Sequence, residues 1–287
     1  MSTCFFASDL HGKRARYQKL FAAIERERPR GVFLGGDLLP NLGLDPGAPE
    51  AEGPDFIHDF LAPNFRRLAN DLGSSRPDVF LILGNDDPRS EEEGVREGAA
   101  EGIWHYVHWE RRPFEGLEVI GYSFVPPTPF LLKDWERYDV SRYVDPGCVS
   151  PEEGFHTAPV SEREARFSTI QEDLEVLAGD QDLGNAIFLF HAPPYDTPLD
   201  RAGLDGTMVD HVPVDVHVGS IAIRRFIEAR EPRVTLHGHI HESARITGAW
   251  RCRIGRTHAL NAAHDGEELA LVRFDPDRPG EAARSLI

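Results

Sequence analysis

The stretch HGHIHES sets His239 and His241 two positions apart, directly after the apolar run RVTL. If that run ends a strand, side chains alternate, so His239 and His241 share a face; His237, directly after the apolar run and outside the GHIH stretch, is left out of the set. Imidazole is the commonest metal ligand. In a chain with 13 histidines the pair also fits the polar face of a surface hairpin, so the pair alone does not decide. Other apolar runs end in the same kind of residue. Asp9 closes CFFASD with His11 two positions on, Asp37 closes GVFLGGD, Asn85 lies at the end of VFLILGND, and His191 follows AIFLF. Seven oxygen and nitrogen donors (Asp9, His11, Asp37, Asn85, His191, His239 and His241) therefore stand at strand ends. Such a set suits two borderline divalent cations with one carboxylate bridging them. A single cation would leave several of these donors without a partner.

The elements that must position them read as α/β. The continuous apolar runs fit strands buried on both faces. Between the first two, KRARYQKLFAAIERERP carries Tyr17, Leu20, Phe21 and Ile24 on one helical face and closes at Pro29. DFIHDFLAPNFRRLANDLG is a second helix, expected to kink or break near Pro63. The alternation of strand and helix predicts a sheet with ligands gathered outside the carboxyl ends of its strands. Further on, a hairpin turn is expected near Glu115-Gly116. One helix is expected over 161–179, with Ser161 and Glu164 as a capping box, and another over 219–232, with Ser220 as N-cap. THALNAAHD and GEELALVRFDPD read as two short strands. The segment from about 125 to 160 is long, rich in proline and aromatics and without periodicity. It reads as an ordered loop insertion, packed through Phe130, Trp135, Tyr138 and Tyr143, and expected to cover the site and shape a substrate pocket.

Bulk properties exclude several function classes. With 31 Lys and Arg against 48 Asp and Glu, the formal charge is −17, a field that repels long nucleic acid and requires a local source of positive charge for any anionic substrate. No apolar run approaches the roughly 18 residues of a membrane helix. Cys4, Cys148 and Cys252 are odd in number and lack CxxC spacing, which argues against a thiolate metal site or a disulfide framework and for a cytoplasmic location.

SDLHG, GGDLLP, GNDD, FHAPP and GHIH, in this order from residue 8 to 241, resemble the five motifs of the calcineurin-like metallophosphoesterase superfamily. The resemblance implies a four-layer α-β-β-α sandwich of two facing mixed sheets, with 1–287 as one domain carrying the 125–160 insertion. Carried over residue by residue, it assigns Asp9, His11 and His241 to one metal and Asn85, His191 and His239 to the other, with Asp37 bridging. Two divalent ions are implied, manganese first and iron or zinc as alternatives. Hydrolysis would proceed by attack of a hydroxide held between metals about 3.5–4 Å apart. Against two ligand carboxylates, two dications leave a local charge of about +2, the positive charge that an acidic protein needs to accept a phosphate ester.

The chain departs from this pattern at Asp86, where the family usually has a histidine that protonates the leaving group. An aspartate with an ordinary pKa near 3.9 is ionised at neutral pH and cannot donate that proton. Asp86 would serve as the acid only if its carboxyl and that of Asp87 shared a proton. His217, just before the helix capped by Ser220, is the other candidate catalytic group. Asn85, His217 and Ser220, with the free N–H groups of that helix start, are candidates for binding substrate. The expected function is hydrolysis of a small phosphomonoester or phosphodiester, a nucleotide among the candidates. The alternative is a binding scaffold of the same fold. A nuclease is disfavoured because no basic cluster accompanies the motifs. No membrane partner is expected, and oligomerisation stays open.

Overall fold

The computed structural model describes residues 3–40 and 55–287; residues 1–2 and 41–54 lie outside the described residues. In chain order the elements are β1 (Cys4–Ala7), α1 (Arg14–Glu27), β2 (Gly31–Gly35), α2 (Ala62–Leu72), β3 (Asp78–Ile82), α3 (Glu92–Ala100) and β4 (His105–Tyr106). Then follow β5 (Arg111–Phe114), β6 (Leu117–Tyr122), α4 (Glu162–Phe167), α5 (Ile170–Ala178), β7 (Ala186–Phe190), β8 (Met208–Val209), β9 (Val212–Pro213) and α6 (Ile221–Arg230). The chain closes with β10 (Val234–His237), α7 (Ser243–Thr247), β11 (Arg251–Ile254), β12 (Thr257–Asn261), β13 (Ala270–Phe274) and β14 (Ala283–Leu286).

Two six-stranded mixed sheets form, in the orders β14-β13-β1-β2-β3-β4 and β11-β12-β10-β7-β6-β5. Alternation along the strands builds the layers. Phe6, Phe33, Phe80, Ile187 and Leu236 belong to one buried cluster, whereas their strand neighbours Phe5, Leu34, Leu81 and Phe188 pack with the helical residues Tyr17, Leu20, Ile223 and Phe226. Each central strand is thus apolar on both faces, one toward the facing sheet and one toward the helices, which is the four-layer arrangement that the motifs imply.

Local departures from the sequence reading have physical causes. The helix expected over 161–179 is two helices, because Ser168 and Thr169 are extended and the Thr169 hydroxyl accepts from Glu172 N at 3.2 Å, capping α5. Near Pro63 the helix does not stop: a π-helical stretch (Ile57–Leu61) runs straight into α2, so the irregularity expected at the proline is a π-helical turn just before it. Glu115 and Gly116 join β5 to β6 with φ of 50° and 83°, the conformation that a tight two-residue hairpin requires. In the 125–160 loop Trp135 and Tyr138 are buried as expected, but Phe130 and Tyr143 are exposed.

The same loop buries a histidine without its charge. His108 packs edge-on to Trp135 with ring centroids 5.0 Å apart, and its Nδ1 accepts from Ser123 N at 3.1 Å. Burial holds its pKa well below the ordinary value, so the folded state stays neutral where the unfolded chain binds a proton. Stability should therefore fall as pH drops through the unfolded value of about 6.5, by up to about 1.4 kcal/mol per pH unit from this residue. Denaturant midpoints between pH 8 and pH 5 should flatten in His108→Gln; equal slopes in the two proteins would contradict this.

Candidate metal centre

Five strands end at one edge of the sandwich. β1, β2 and β3 run parallel in one sheet, and β7 and β10 run parallel in the other. The loops beyond them carry all seven donors. They are tied together by the main chain, with Asp9 N donating to Gly36 O at 3.0 Å and His11 N to Asp37 O at 2.8 Å. Asp9, His11, Asp37 and His239 all have left-handed backbone, with φ of 58°, 47°, 52° and 71°. Each such conformation costs a residue with a Cβ on the order of 1 kcal/mol, and its concentration in four of seven donors marks a functional site. His239 and His241 do not meet by strand alternation. The strand ends at His237, and the pair converges because the chain turns at His239.

One donor atom each from Asp9, His11, Asp37 and His241 lie within 4.8 Å of one another, and so do one each from Asp37, His191 and His239. Asp37 belongs to both groups. Asn85 joins the second, its Oδ1 3.1 Å from His191 Nε2. His191 Nδ1 donates to Gly35 O at 2.7 Å, which commits the ring proton there and turns the Nε2 lone pair toward Asp37 Oδ2 at 3.2 Å. Lone pairs of Nε2, Asp37 Oδ2 and Asn85 Oδ1 thus converge with no donor among them in the neutral tautomer. Asp9 Oδ2 is buried and without a hydrogen-bond partner. Buried acceptors facing one another need a cation or a proton between them, so the donor set fits divalent metal.

The electrostatics agree. Burial pushes the Asp9 carboxyl up, but His241, His191 and His11 together pull it below its ordinary value. Asp37 is likewise lowered against the effect of burial, by His191 and His11. Burial opposes charge on His191 and His241, yet Asp37 and Asp9 drive them up to about 10 and about 9. His239 goes down to about 3 through burial and the neighbouring His191. The carboxylates draw positive charge to the imidazoles, as they would draw cations.

Around this centre the structure places the remaining predicted residues. Asp86 N donates to Asp37 Oδ1 at 2.8 Å, and the Asp86 carboxylate accepts from Asn85 Nδ2 at 3.0 Å, 3.6 Å from His11 Nδ1. Burial and then the Asp37 charge raise its pKa to about 6. The Asp87 carboxylate faces away from it and accepts from the main-chain N–H groups of Leu38, Leu39 and Gly84, so a proton shared between the two side chains is not the arrangement seen. His217 is paired with the buried Asp200, Nδ1 to Oδ1 at 2.8 Å, and no contact joins it to the seven donors among the described residues. Ser220 caps α6 as expected, accepting from Ile223 N at 3.0 Å. Its hydroxyl donates to Asp139, which also takes Ile221 N at 2.7 Å and Ala222 N at 3.2 Å. A side chain of the 125–160 loop therefore fills the helix start that was expected to be open to an anion. His237 uses both ring nitrogens, on Ala192 O and Thr235 Oγ1, and stands outside the centre.

One contributor escaped the sequence reading. Arg16 is buried and donates through Nη1 to the Asp9 carbonyl at 2.5 Å and through Nη2 to Gly266 O, anchoring the first donor loop from behind. The signal was an arginine beside Tyr17 on the apolar side of α1.

Residues 3–243 match the family of calcineurin-like phosphoesterases. An uncharacterized protein of Methanocaldococcus jannaschii, MJ1162, is 39% identical over 83 residues, which is 28% of this chain and 32% of that relative's length. The crystal structure of TT1561 of Thermus thermophilus superposes with a TM-score of 0.56 at 15% identity, covering 99% of this chain and 98% of the other. Another crystal structure reaches 0.60 at 17% identity, over 99% and 98%. At these identities the structures testify to the fold alone, and the motif-bearing match over most of the sequence testifies to kinship. The chain belongs to the calcineurin-like phosphoesterase family.

Proposed function

We propose that the protein is a dinuclear-metal phosphoesterase that hydrolyses a small phosphomonoester or phosphodiester, nucleotides included. The observation that supports it is the completeness of the donor set: two groups share Asp37, and Asp9 Oδ2 is buried without a partner. In this reading Asp9, His11 and His241 hold one divalent ion, Asn85, His191 and His239 hold the other, and Asp37 bridges. The ions, manganese first and iron or zinc as alternatives, supply Lewis-acid activation of water and charge neutralisation of the phosphoryl group. The chain's own residues fix geometry. Gly35 O sets the His191 tautomer, Arg16 anchors the Asp9 loop, and the Asp86 N–H holds Asp37. A scaffold would have no need of all seven donors. The three free cysteines fit a reducing cytoplasm.

The test is to strip the protein with a chelator, reload it with Mn²⁺ and assay phosphomonoesters, linear diesters and cyclic nucleotides. Hydrolysis that returns only with the metal supports the proposal. Reloaded protein that binds Mn²⁺ and cleaves no ester favours the scaffold.

Asp86 yields a prediction about leaving groups. Burial and the Asp37 charge raise the Asp86 pKa from its ordinary value to about 6, which still leaves the carboxyl mostly ionised at neutral pH, and in this reading it gives no proton to the leaving group. Aryl esters such as nitrophenyl phosphates should turn over, and alkyl esters should lag by the roughly 10²–10⁴-fold that a positioned acid is worth. Asp86→His should speed the alkyl esters. Slowing of only the alkyl esters in Asp86→Asn would instead make Asp86 the acid.

A further inference from the structure

Asn85 and Asp86 occupy the centre of a four-residue turn, closed by Asp87 N donating to Gly84 O at 3.1 Å. Its near end continues β3, and Asp87 ties it to the Asp37 loop through Leu38 and Leu39. Its far end is held by the 125–160 loop. Trp135 Nε1 donates to the Asp87 carbonyl at 2.8 Å, and the Asp134 carboxylate accepts from Arg89 N at 2.7 Å and from Thr157 N at 2.8 Å. Both side chains are buried, and both bonds land on main chain flanking Pro88, immediately after the turn. The Arg89 guanidinium lies over the Trp135 ring, 5.4 Å from its centroid, and His108 packs against that ring. Behind these contacts Lys133 and Glu136 form a fully buried ion pair at 2.6 Å, which fixes the loop's own shape.

We infer that Trp135 and Asp134 are positioning residues that brace the third donor loop, so that the insertion governs how firmly Asn85 holds its cation. The inference rests on the reading of the cluster as a dinuclear centre. A neutral amide oxygen is the only donor of the seven that brings neither charge nor an imidazole lone pair. Its contribution depends on position more than any other, and the turn is held on one side by the Asp37 loop and on the other by Trp135 and Asp134. Outer groups that orient metal ligands are typically worth 10–100-fold in metal affinity or activity.

The experiment is Mn²⁺ titration of the chelator-stripped protein, with free Mn²⁺ followed by electron paramagnetic resonance. It compares wild type, Trp135→Phe, Asp134→Asn and a control, Tyr138→Phe. The control removes a hydrogen bond of the same loop, from the Tyr138 hydroxyl to Glu152 at 3.0 Å, that does not touch the turn. Trp135→Phe and Asp134→Asn should weaken one Mn²⁺ site about tenfold and leave the other within twofold. The metal-free Tm of Asp134→Asn should shift no further than in Tyr138→Phe, which keeps both sites, whereas Trp135→Phe also loses the packing of a buried ring. Wild-type affinities at both sites in the two variants would overturn the inference, as would equal weakening of both sites in all three. The wild-type ester panel reports separately: if it shows no hydrolysis the proposed function fails, while the Mn²⁺ titration still decides the brace.

Discussion

Asp37→Ala should release both cations and lower ester hydrolysis by roughly 10³-fold or more. Asp37 is the one side chain common to the two donor groups, its Oδ2 3.2 Å from His191 Nε2 and its Oδ1 accepting the Asp86 N–H at 2.8 Å. In the proposed dinuclear reading, removing it would take a charged ligand from each ion and leave two dications repelling across the gap. Metal activation is worth several kcal/mol of transition-state stabilisation, and about 1.4 kcal/mol is tenfold in rate. Asn85→Ala, by contrast, would on the same reading take one neutral ligand from one ion, so it should weaken that ion and spare the other. Elemental analysis of the two variants checks the contrast; equal metal loss in both would remove Asp37 from its bridging role.

Gly84→Ala is expected to disable the centre without touching a ligand. A Cβ at Gly84 would lie 2.3 Å from Asp37 Oδ1 and 2.6 Å from His191 Nε2, closer than any real contact allows. The main-chain N of Asp37 lies as close, at 2.6 Å, so the loop cannot retreat without carrying Asp37 and His191 out of the cluster. A displacement of about 1 Å at a reacting centre costs roughly 10²-fold, so a loss of at least that size is expected, with one or both cations bound more weakly. Because the collision is local to the edge of the sandwich, the metal-free protein should still fold. Circular dichroism of the variant with wild-type activity would show that the loops yield more easily than their packing implies. Gly238 meets a similar limit, its added Cβ 2.6 Å from Asp9 Oδ2.

The donors were legible because their chemistry is encoded locally: an apolar run buried on both faces, then a short polar sequence at its carboxyl end. Asp9, Asp37, Asn85 and His191 could be placed from that pattern alone, and the order of the motifs did the rest. The α/β class followed from the same runs, since strands apolar on both faces need cover on both, whereas the four-layer sandwich was implied by the motif resemblance. What escaped the sequence was set by partners remote in it. Asp139 fills the start of α6 from 81 residues away, so the open anion site expected at Ser220 could not be excluded from VHVGS. Thr169 breaks a helix that periodicity alone would continue, because its hydroxyl caps and its backbone stays extended. Short edge strands such as β11 and β14, partly exposed, carry too little alternation to be read. His239 and His241 lie beside the other donors for a local reason other than alternation, since positive φ at His239 replaces the strand geometry.

The most direct measurement is the metal stoichiometry of wild-type protein saturated with Mn²⁺, freed of excess by gel filtration and analysed for manganese against protein concentration. The seven donors in two groups around Asp37 predict two ions per chain. Saturation at one ion per chain, with ester hydrolysis already maximal, would contradict the dinuclear account.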